Sequence, residues 1–507
     1  MTDPLFERSS AEDIAVPPAG LRAILDCLDA PLALHTTDEL LPLRAHLDTL
    51  RKSPGTAQQR SSTLDRLYTR SILVIATLLP TLTNLALPVS RKTRLTVRNM
   101  QELLQMLAAD MLTSLNERDE DLLRGRRKTQ ELPLWRSLQA LAHHLLISYL
   151  IAAPACPGIW RQLHQAYAKA QRRQITGNTP EGEQSSLQHV YYSALLLGCA
   201  QPASFNAREI DFVVSYLQRF ADCVDPLAQA VLQSPSVFWI DPRRDAPAFA
   251  CSRKTAPPET AVQFFSCGRL AALLGKQLTA LQTGSTAQQI GLPSLAGSPA
   301  GHAVLRHLAT YWGSPLKRRF QRRRQNYRAA LCTGLDNLWH LFQDGHATAE
   351  VSSWMIINES PDGYAVMHVS GKIGKLSAGD VAAIRTESGN DWQICLVRWA
   401  LSENPEHLEL GMQILAPRAV PAILARPSHI GSSEPGEHLP ALILPELPPL
   451  RATQMLLVPT GAVANHDQKL VLVVERDNVE VREVRATHLD EQTGSVEVFT
   501  ILPDDRP

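Results

Sequence analysis

The sequence is poor in the signatures that announce chemistry. Its 507 residues hold eight cysteines, at 27, 156, 199, 223, 251, 267, 332 and 395. No two are spaced as CxxC, and none joins histidines at zinc-ligand spacing, which excludes a disulfide scaffold and a zinc module. They read as reduced, mostly buried thiols of a cytoplasmic protein. HExxH, GxSxG and a P-loop are all missing; Gly371-Lys-Ile-Gly374 is too short to be one. His143-His144 lies in an apolar helical stretch, where one ring is expected in the core and one at the surface. No metal site or cofactor is expected. There is no excess of either charge: 50 Lys+Arg face 50 Asp+Glu. A general polyanion binder would carry a basic surplus, so any anion site must be local. Twenty-six glycines and 35 prolines are too few and too irregular for a collagen-like or low-complexity chain. The opening MTDPLFERSSAED is polar and acidic, unlike a secretory leader.

Long apolar runs are scarce too. One stretch, Ser71 to Ser90, carries no charge over twenty residues between Arg70 and Arg91. That length would span a bilayer. Thr77, Thr81, Thr83, Asn84 and Pro80 interrupt it, so a buried helix broken at Pro80 is expected and a membrane contact is not.

What is present is enough for real cores: 44% hydrophobic and 20% charged residues, in a length that suggests about three domains. The expected fold class is α+β multidomain: an all-α N-terminal region, then a small antiparallel β-barrel, then a second small β unit. Residues 1–312 read as helical and possibly repeat-like. Helical periodicity runs through 99–115, 134–151, 159–170, 187–197, 207–220 and 261–281. Breakers lie at 152–158, 176–183 and 242–258. From 313 to 420 the apolar runs become short and β-rich, at 354–358, 364–369, 381–385, 392–399 and 408–415, with turn residues between them. Short antiparallel strands so spaced suggest a barrel. Trp354, Trp392 and Trp399 read as its core. A Pro-rich linker is expected over 421–449 and a small β domain over 450–507. Residues 441–507 hold eleven acidic and six basic side chains.

The strongest local signal is Lys317–Arg328, KRRFQRRRQNYR, with seven basic residues in twelve and no acid. Alone it reads first as a solvated helix face, the usual fate of a charge run, with a nucleic-acid or acidic-partner patch as the alternative. Within it RRQNYR contains an RxxxR pair, Arg324 and Arg328, preceded by Arg323. Twenty-nine residues separate Arg328 from Asn358-Glu-Ser360-Pro-Asp-Gly363, which fits [DN]xSxxG. Further on, Leu376-Ser-Ala-Gly379-Asp380-Val381 and Leu410-Gly411-Met-Gln-Ile414 fall where strands are expected, with Ile414 in place of an aromatic.

The order and spacing of these pieces resemble the PilZ domain, a small β-barrel that binds cyclic di-GMP. The resemblance covers about residues 317–420. It implies a non-enzymatic cyclic di-GMP receptor whose ligand contacts are Arg323, Arg324, Arg328, Asn358, Ser360 and Gly363. The residue types suit the ligand. An Arg guanidinium can grip two phosphate oxygens or a guanine edge and can stack on a base. Asn358 and Ser360 offer donors and acceptors, and Gly363 is expected to supply a positive φ and close approach. Arg323 fits the intercalated ligand dimer that such an Arg accompanies in this family. GGDEF, EAL and HD-GYP, the motifs of enzymes that make or break this dinucleotide, do not occur. The helical region would be the output, acting on an unidentified protein partner in motility, pili or exopolysaccharide. Seven like charges in twelve residues should keep the Arg segment loosely held until a dianion arrives. The C-terminal β unit could be a degenerate second barrel, with Arg482, Arg485 and Asp490–Gly494 as a decayed motif.

Overall fold

The computed structural model describes residues 19–85, 87–123, 131–228, 234–258, 261–315, 320–343, 349–374, 376–404, 406–425, 438–446, 448, 452–463, 468–475 and 479–504. The N-terminal region is helical, and its longest helices are Ala57–Leu78, Arg91–Leu123 and Glu131–Leu150. Capping boxes start two of its helices: Thr56 with Gln59, and Asn206 with Glu209. The uncharged run after Arg70 breaks as expected. Its helix ends at Leu78, and Pro80 sits in the following 3₁₀ turn, Leu79–Leu82. Among the described residues no helix is long and apolar enough to cross a membrane.

Helix is not the whole of this region. Four short strands, β1 (Asp225–Leu227), β2 (Val237–Ile240), β3 (Phe249–Ala250) and β4 (Gln263–Ser266), form an antiparallel sheet ordered β1-β4-β2-β3. The helix expected from 261 therefore begins only at Gly268. Phe265 explains the difference. It is fully buried, stacked on Phe238 at 5.4 Å between ring centres and packed on Tyr192 at 5.4 Å. A strand between two neighbours holds that ring in place better than a helical turn could.

The first barrel comprises β5 (Arg323–Thr333), β6 (Val351–Ser360), β7 (Gly363–Ser370), β8 (Val381–Thr386), β9 (Gln393–Asn404) and β10 (His407–Ala416). It closes in the order β5-β6-β7-β10-β9-β8. Trp354, Ile356, Val366, Ile384, Val397 and Leu410 fill it, with Ile414 packed alongside. The Arg segment is thus a strand from Arg323 onward, not a helix or a loose tether; Lys317–Arg319 lie outside the described residues. Extended backbone spaces successive residues by about 3.3 Å and sends them to opposite faces, which separates the charges. The Arg-bearing half of β5 pairs only with β6; pairing with β8 begins at Ala329. A cationic edge of this kind also resists pairing with foreign strands.

The second barrel comprises β11 (Val420–Ala425), β12 (His438–Leu444), β13 (Gln454–Pro459), β14 (Lys469–Glu475), β15 (Val479–Gln492) and β16 (Val496–Pro503). It closes as β11-β12-β13-β16-β15-β14. Counted from its own first strand, each barrel reads 1-2-3-6-5-4, so the C-terminal unit repeats the connectivity of the first. The expected linker over 421–449 is corrected by β11 and β12; residues 426–437, 447 and 449 lie outside the described residues. Pro421 and Pro440 fit their strands because each sits where its strand has a neighbour on one side only, which tolerates a missing N–H. Arg482 and Arg485 lie on β15, and Asp490–Gly494 leads into the β15–β16 hairpin. Those are the counterparts of β9 and the β9–β10 hairpin, so they are not a decayed copy of the ligand motif.

The barrels share a core. Leu338 and Leu341, from the helix Leu335–Gln343 between β5 and β6, pack with Trp392 and Ile394 of the first barrel and Leu442 and Val498 of the second. Trp339 Nε1 donates to the Ala422 carbonyl at 2.8 Å. Corresponding hairpins make the remaining joints. At β9–β10, Arg94 donates to the carbonyl and hydroxyl oxygens of Ser402, both at 2.7 Å, and Ser402 N donates to the Ala152 carbonyl at 2.7 Å. At β15–β16, the Thr493 and Ser495 hydroxyls both donate to the Gly379 carbonyl at 2.8 Å. Leu338→Ala should cost about 2–5 kcal/mol, as buried Leu-to-Ala changes do. The measurement is denaturant unfolding followed by tryptophan fluorescence, with both barrels melting earlier than in wild type.

Candidate functional site

The two halves of the motif meet through strand register. Arg324 and Asn358 are direct cross-strand partners, and Arg323 stands opposite Glu359. Two irregularities flank this pair: β5 carries an extra residue between Arg324 and Tyr327, and β6 one between Ile356 and Asn358. Bulges re-aim side chains where a barrel rim must present them. Arg323, Arg324 and Arg328 are all exposed. None of their guanidiniums, nor the Asn358 amide, has a side-chain partner among the described residues. Unpaired guanidiniums beside an unpaired amide are a site for an anion with polar edges.

Ser360-Pro361-Asp362-Gly363 is the tight turn between β6 and β7, with Ser first, Pro second and Gly last, as a type I turn favours. The Ser360 hydroxyl donates to Asp362 Oδ1 at 2.6 Å and lies 3.2 Å from the Gly363 carbonyl, so it builds the turn as well as bordering the site. Glu359 is held by Gln325 Nε2 at 3.2 Å and by the Tyr327 hydroxyl at 3.0 Å. Gly363 is not at positive φ. The expectation there is corrected: a Cβ at 363 would lie 2.0 Å from the Met412 carbonyl oxygen, so close backbone approach makes glycine obligatory.

Ser360 and Gly363 border a cleft of about 1330 Å³ whose walls come from the helical region and both barrels. Arg323, Arg324, Arg328 and Asn358 are not among its lining residues; Phe320 and Arg322 are. The motif therefore sits at the rim.

Three further groups in the walls escaped sequence reasoning. Trp399, expected in the core, is only half-buried and faces the cleft. Its indole lies flat on Gly411 of the neighbouring strand, where a Cβ would come within 1.8 Å of Nε1. An aromatic covering a cross-strand glycine leaves its other face available for a base. Next to it, Arg398 Nε donates to Gln413 Oε1 at 2.7 Å, while its two Nη atoms grip the Glu491 carboxylate of the second barrel. On the helical side, His307 stacks on Tyr311 at 4.2 Å and packs on Phe205 at 4.5 Å, and Arg253 lies 5.0 Å over Tyr311. Burial pushes the His307 imidazole down to about 4, so it is neutral near pH 7. A tryptophan and a glycine on neighbouring expected strands are the one signal that could have found the Trp399–Gly411 pair; the helical residues carried none. His143 and His144 are likewise pushed down to about 4 by burial, which keeps both rings neutral. Among the described residues no group of three or more His, Cys, Asp or Glu could hold a metal ion.

Comparison with known proteins follows the domain layout. Residues 22–229 match the N-terminal domain of a family described as cyclic-di-GMP receptor FimW. Residues 343–421 match its middle PilZ domain, and residues 423–502 match the FimW C-terminal β-barrel domain. The cyclic-di-GMP receptor FimW of Pseudomonas aeruginosa is 22% identical over 422 residues, covering 66% of this chain and 67% of that protein. The middle match includes Asn358, Ser360 and Gly363 and begins after the Arg strand.

The cleft also contains a titrating group. Glu209 is buried, caps its helix by accepting from Asn206 N at 2.9 Å, and would be 3.0 Å from a Cβ at Gly494. Burial pushes its carboxyl up to about 7 from 4.5. The unfolded chain releases this proton first, so stability falls as pH rises from about 4.5 to about 7 and stays lower above. Glu209→Gln should remove that decline, which thermal unfolding midpoints between pH 5 and 8 will show as a flatter profile than wild type.

Proposed function

Because the chain belongs to the FimW family of cyclic-di-GMP receptors and has a PilZ barrel as its middle domain, we propose that it binds cyclic di-GMP at the rim and cleft of that barrel and passes the signal on without chemistry. One observation carries this reading: the register that puts exposed, unpaired Arg324 opposite the unpaired Asn358 amide and Arg323 opposite Glu359, next to the Ser360–Gly363 turn, with exposed Arg328 further along the same strand opposite Met355. Arg324 and Arg328 bind phosphate oxygens or guanine edges, Asn358 and Ser360 bind polar atoms of base and phosphate, and Gly363 lets the turn pack against the Met412 carbonyl at the edge of the cleft. Trp399 offers a face for a guanine. Arg323 supports an intercalated ligand pair, and the cleft of about 1330 Å³ exceeds the roughly 300–1,000 Å³ of common small-molecule sites.

Each of Arg324→Ala and Arg328→Ala should lose a charge-assisted contact of about 1.5–3 kcal/mol, or about ten- to a hundredfold in affinity. Calorimetry with cyclic di-GMP, GTP and a short RNA reads this, and it also tests the rival reading of 317–328 as a nucleic-acid or acidic-partner patch. Chromatography of the same samples should return the dinucleotide intact. Wild-type affinity in both variants would refute the ligand assignment.

The output is conformational and reaches a protein partner through the helical region, in motility, pili or exopolysaccharide. Since β5 is already a paired strand, the responsive element is the segment just before it, 320–322, of which Phe320 and Arg322 line the cleft. Ligand held between cleft walls fixes that segment. Amide hydrogen exchange over residues 320–322 should slow on binding. Unchanged exchange in a saturated sample would remove the switch while leaving the receptor reading intact.

A further inference from the structure

The cleft contains a carboxylate held in a guanidinium fork. Arg398 of β9 points a guanidinium into it, aimed by the 2.7 Å bond from Nε to the neutral Gln413 amide oxygen. Both Nη atoms are taken by Glu491: Nη1 to Oε2 at 3.1 Å, Nη2 to Oε1. Glu491 belongs to the other barrel, at the C-terminal end of β15. The next residue, Gln492, accepts from Arg306 of the helical region at 2.9 Å through Oε1. One edge of the second barrel thus holds cations from both other parts of the chain.

Three features make this pair an exchangeable one. A guanidinium fork receives the two oxygens of a phosphodiester in the same geometry as those of a carboxylate. The pair is partly open, with side-chain exposures of 36% for Arg398 and 30% for Glu491, so a ligand can reach it. And Asp490 and Glu491 together put two carboxylates into a space that has to accept a dianion, which repels the ligand unless the edge moves.

We propose that Arg398 is a phosphate-binding residue of this cleft, that Glu491 occupies it in the unliganded protein as an internal stand-in for phosphate, and that ligand binding exchanges this inter-barrel ion pair for a ligand contact. The C-terminal barrel is then the part of the chain that senses occupancy. The inference rests on cyclic di-GMP binding as read above, and it adds a residue and a domain that the motif does not reach.

A double-mutant cycle by calorimetry with cyclic di-GMP tests it on the full chain. Glu491→Gln keeps shape and removes the competing charge; affinity should rise about two- to fivefold, the scale of a partly exposed ion pair. Arg398→Ala should weaken binding, and in the Arg398→Ala background Glu491→Gln should give no gain. Asp490→Asn is the control for charge acting through space: it lies beside Glu491 but is held by the Thr500 hydroxyl at 2.6 Å, and its effect should be the same with or without Arg398. Thermal melts confirm that each variant folds. If Glu491→Gln binds like wild type or more weakly, or if its gain survives Arg398→Ala, the exchange is wrong while the receptor reading stands. If wild type itself does not bind, both fall.

Discussion

Antiparallel pairing of β5 with β6 is the constraint on which the rest depends. It closes the first barrel on one side of the seam and leaves β5 from Arg323 to Tyr327 paired with β6 alone. It brings Arg324 opposite Asn358, two residues that the sequence keeps 34 positions apart. It also obliges the chain to cross from one strand to the next, and the helix that does so carries the leucines on which the second barrel is seated. A slip of one residue in this ladder would turn Trp354 and Ile356 out of the core, so burial of those side chains enforces the alignment of the polar ones.

The sequence was most informative where one residue type has one job. It marks Gly363 as a position without room for a side chain, although the obstacle proved to be the Met412 carbonyl and not a left-handed backbone; it marks Gly411 only within its strand motif, and the Trp399 indole is what excludes a side chain there. Strands of the first barrel were legible from alternation and turn residues. Reading failed where two signals competed. Charge density in RRQNYR argued for a loose segment, while the alternation of Gln325, Tyr327 and Ala329 argued for a strand, and inter-strand hydrogen bonds decided in favour of the strand. Proline density over 421–449 suggested a stiff spacer, yet proline at a one-sided strand position costs little.

The helical wall of the cleft was illegible for a different reason. His307 and Tyr311 share the helix Pro299–Gly313 while Phe205 and Arg253 come from elsewhere in the chain, and nothing in their local sequence distinguishes a ring that lines a cavity from one that fills a core. Trp399 shows the same ambiguity inside the barrel. Indole beside a cross-strand glycine satisfies packing rules, and only the assembled neighbours reveal that it also borders the cleft. Charge balance conceals the site equally well. A chain with zero net charge still concentrates guanidiniums at one rim, because the compensating carboxylates lie elsewhere, several of them in the C-terminal segment.

The matching connectivity of the barrels has an evolutionary corollary. In each, the hairpin between the fifth and sixth strands docks the unit onto what precedes it: Ser402 on the helical region, Thr493 and Ser495 on the first barrel. A module that carries its own connector can be copied in tandem without inventing a new interface. A second barrel held in place by such a connector has its own rim left free of docking duty.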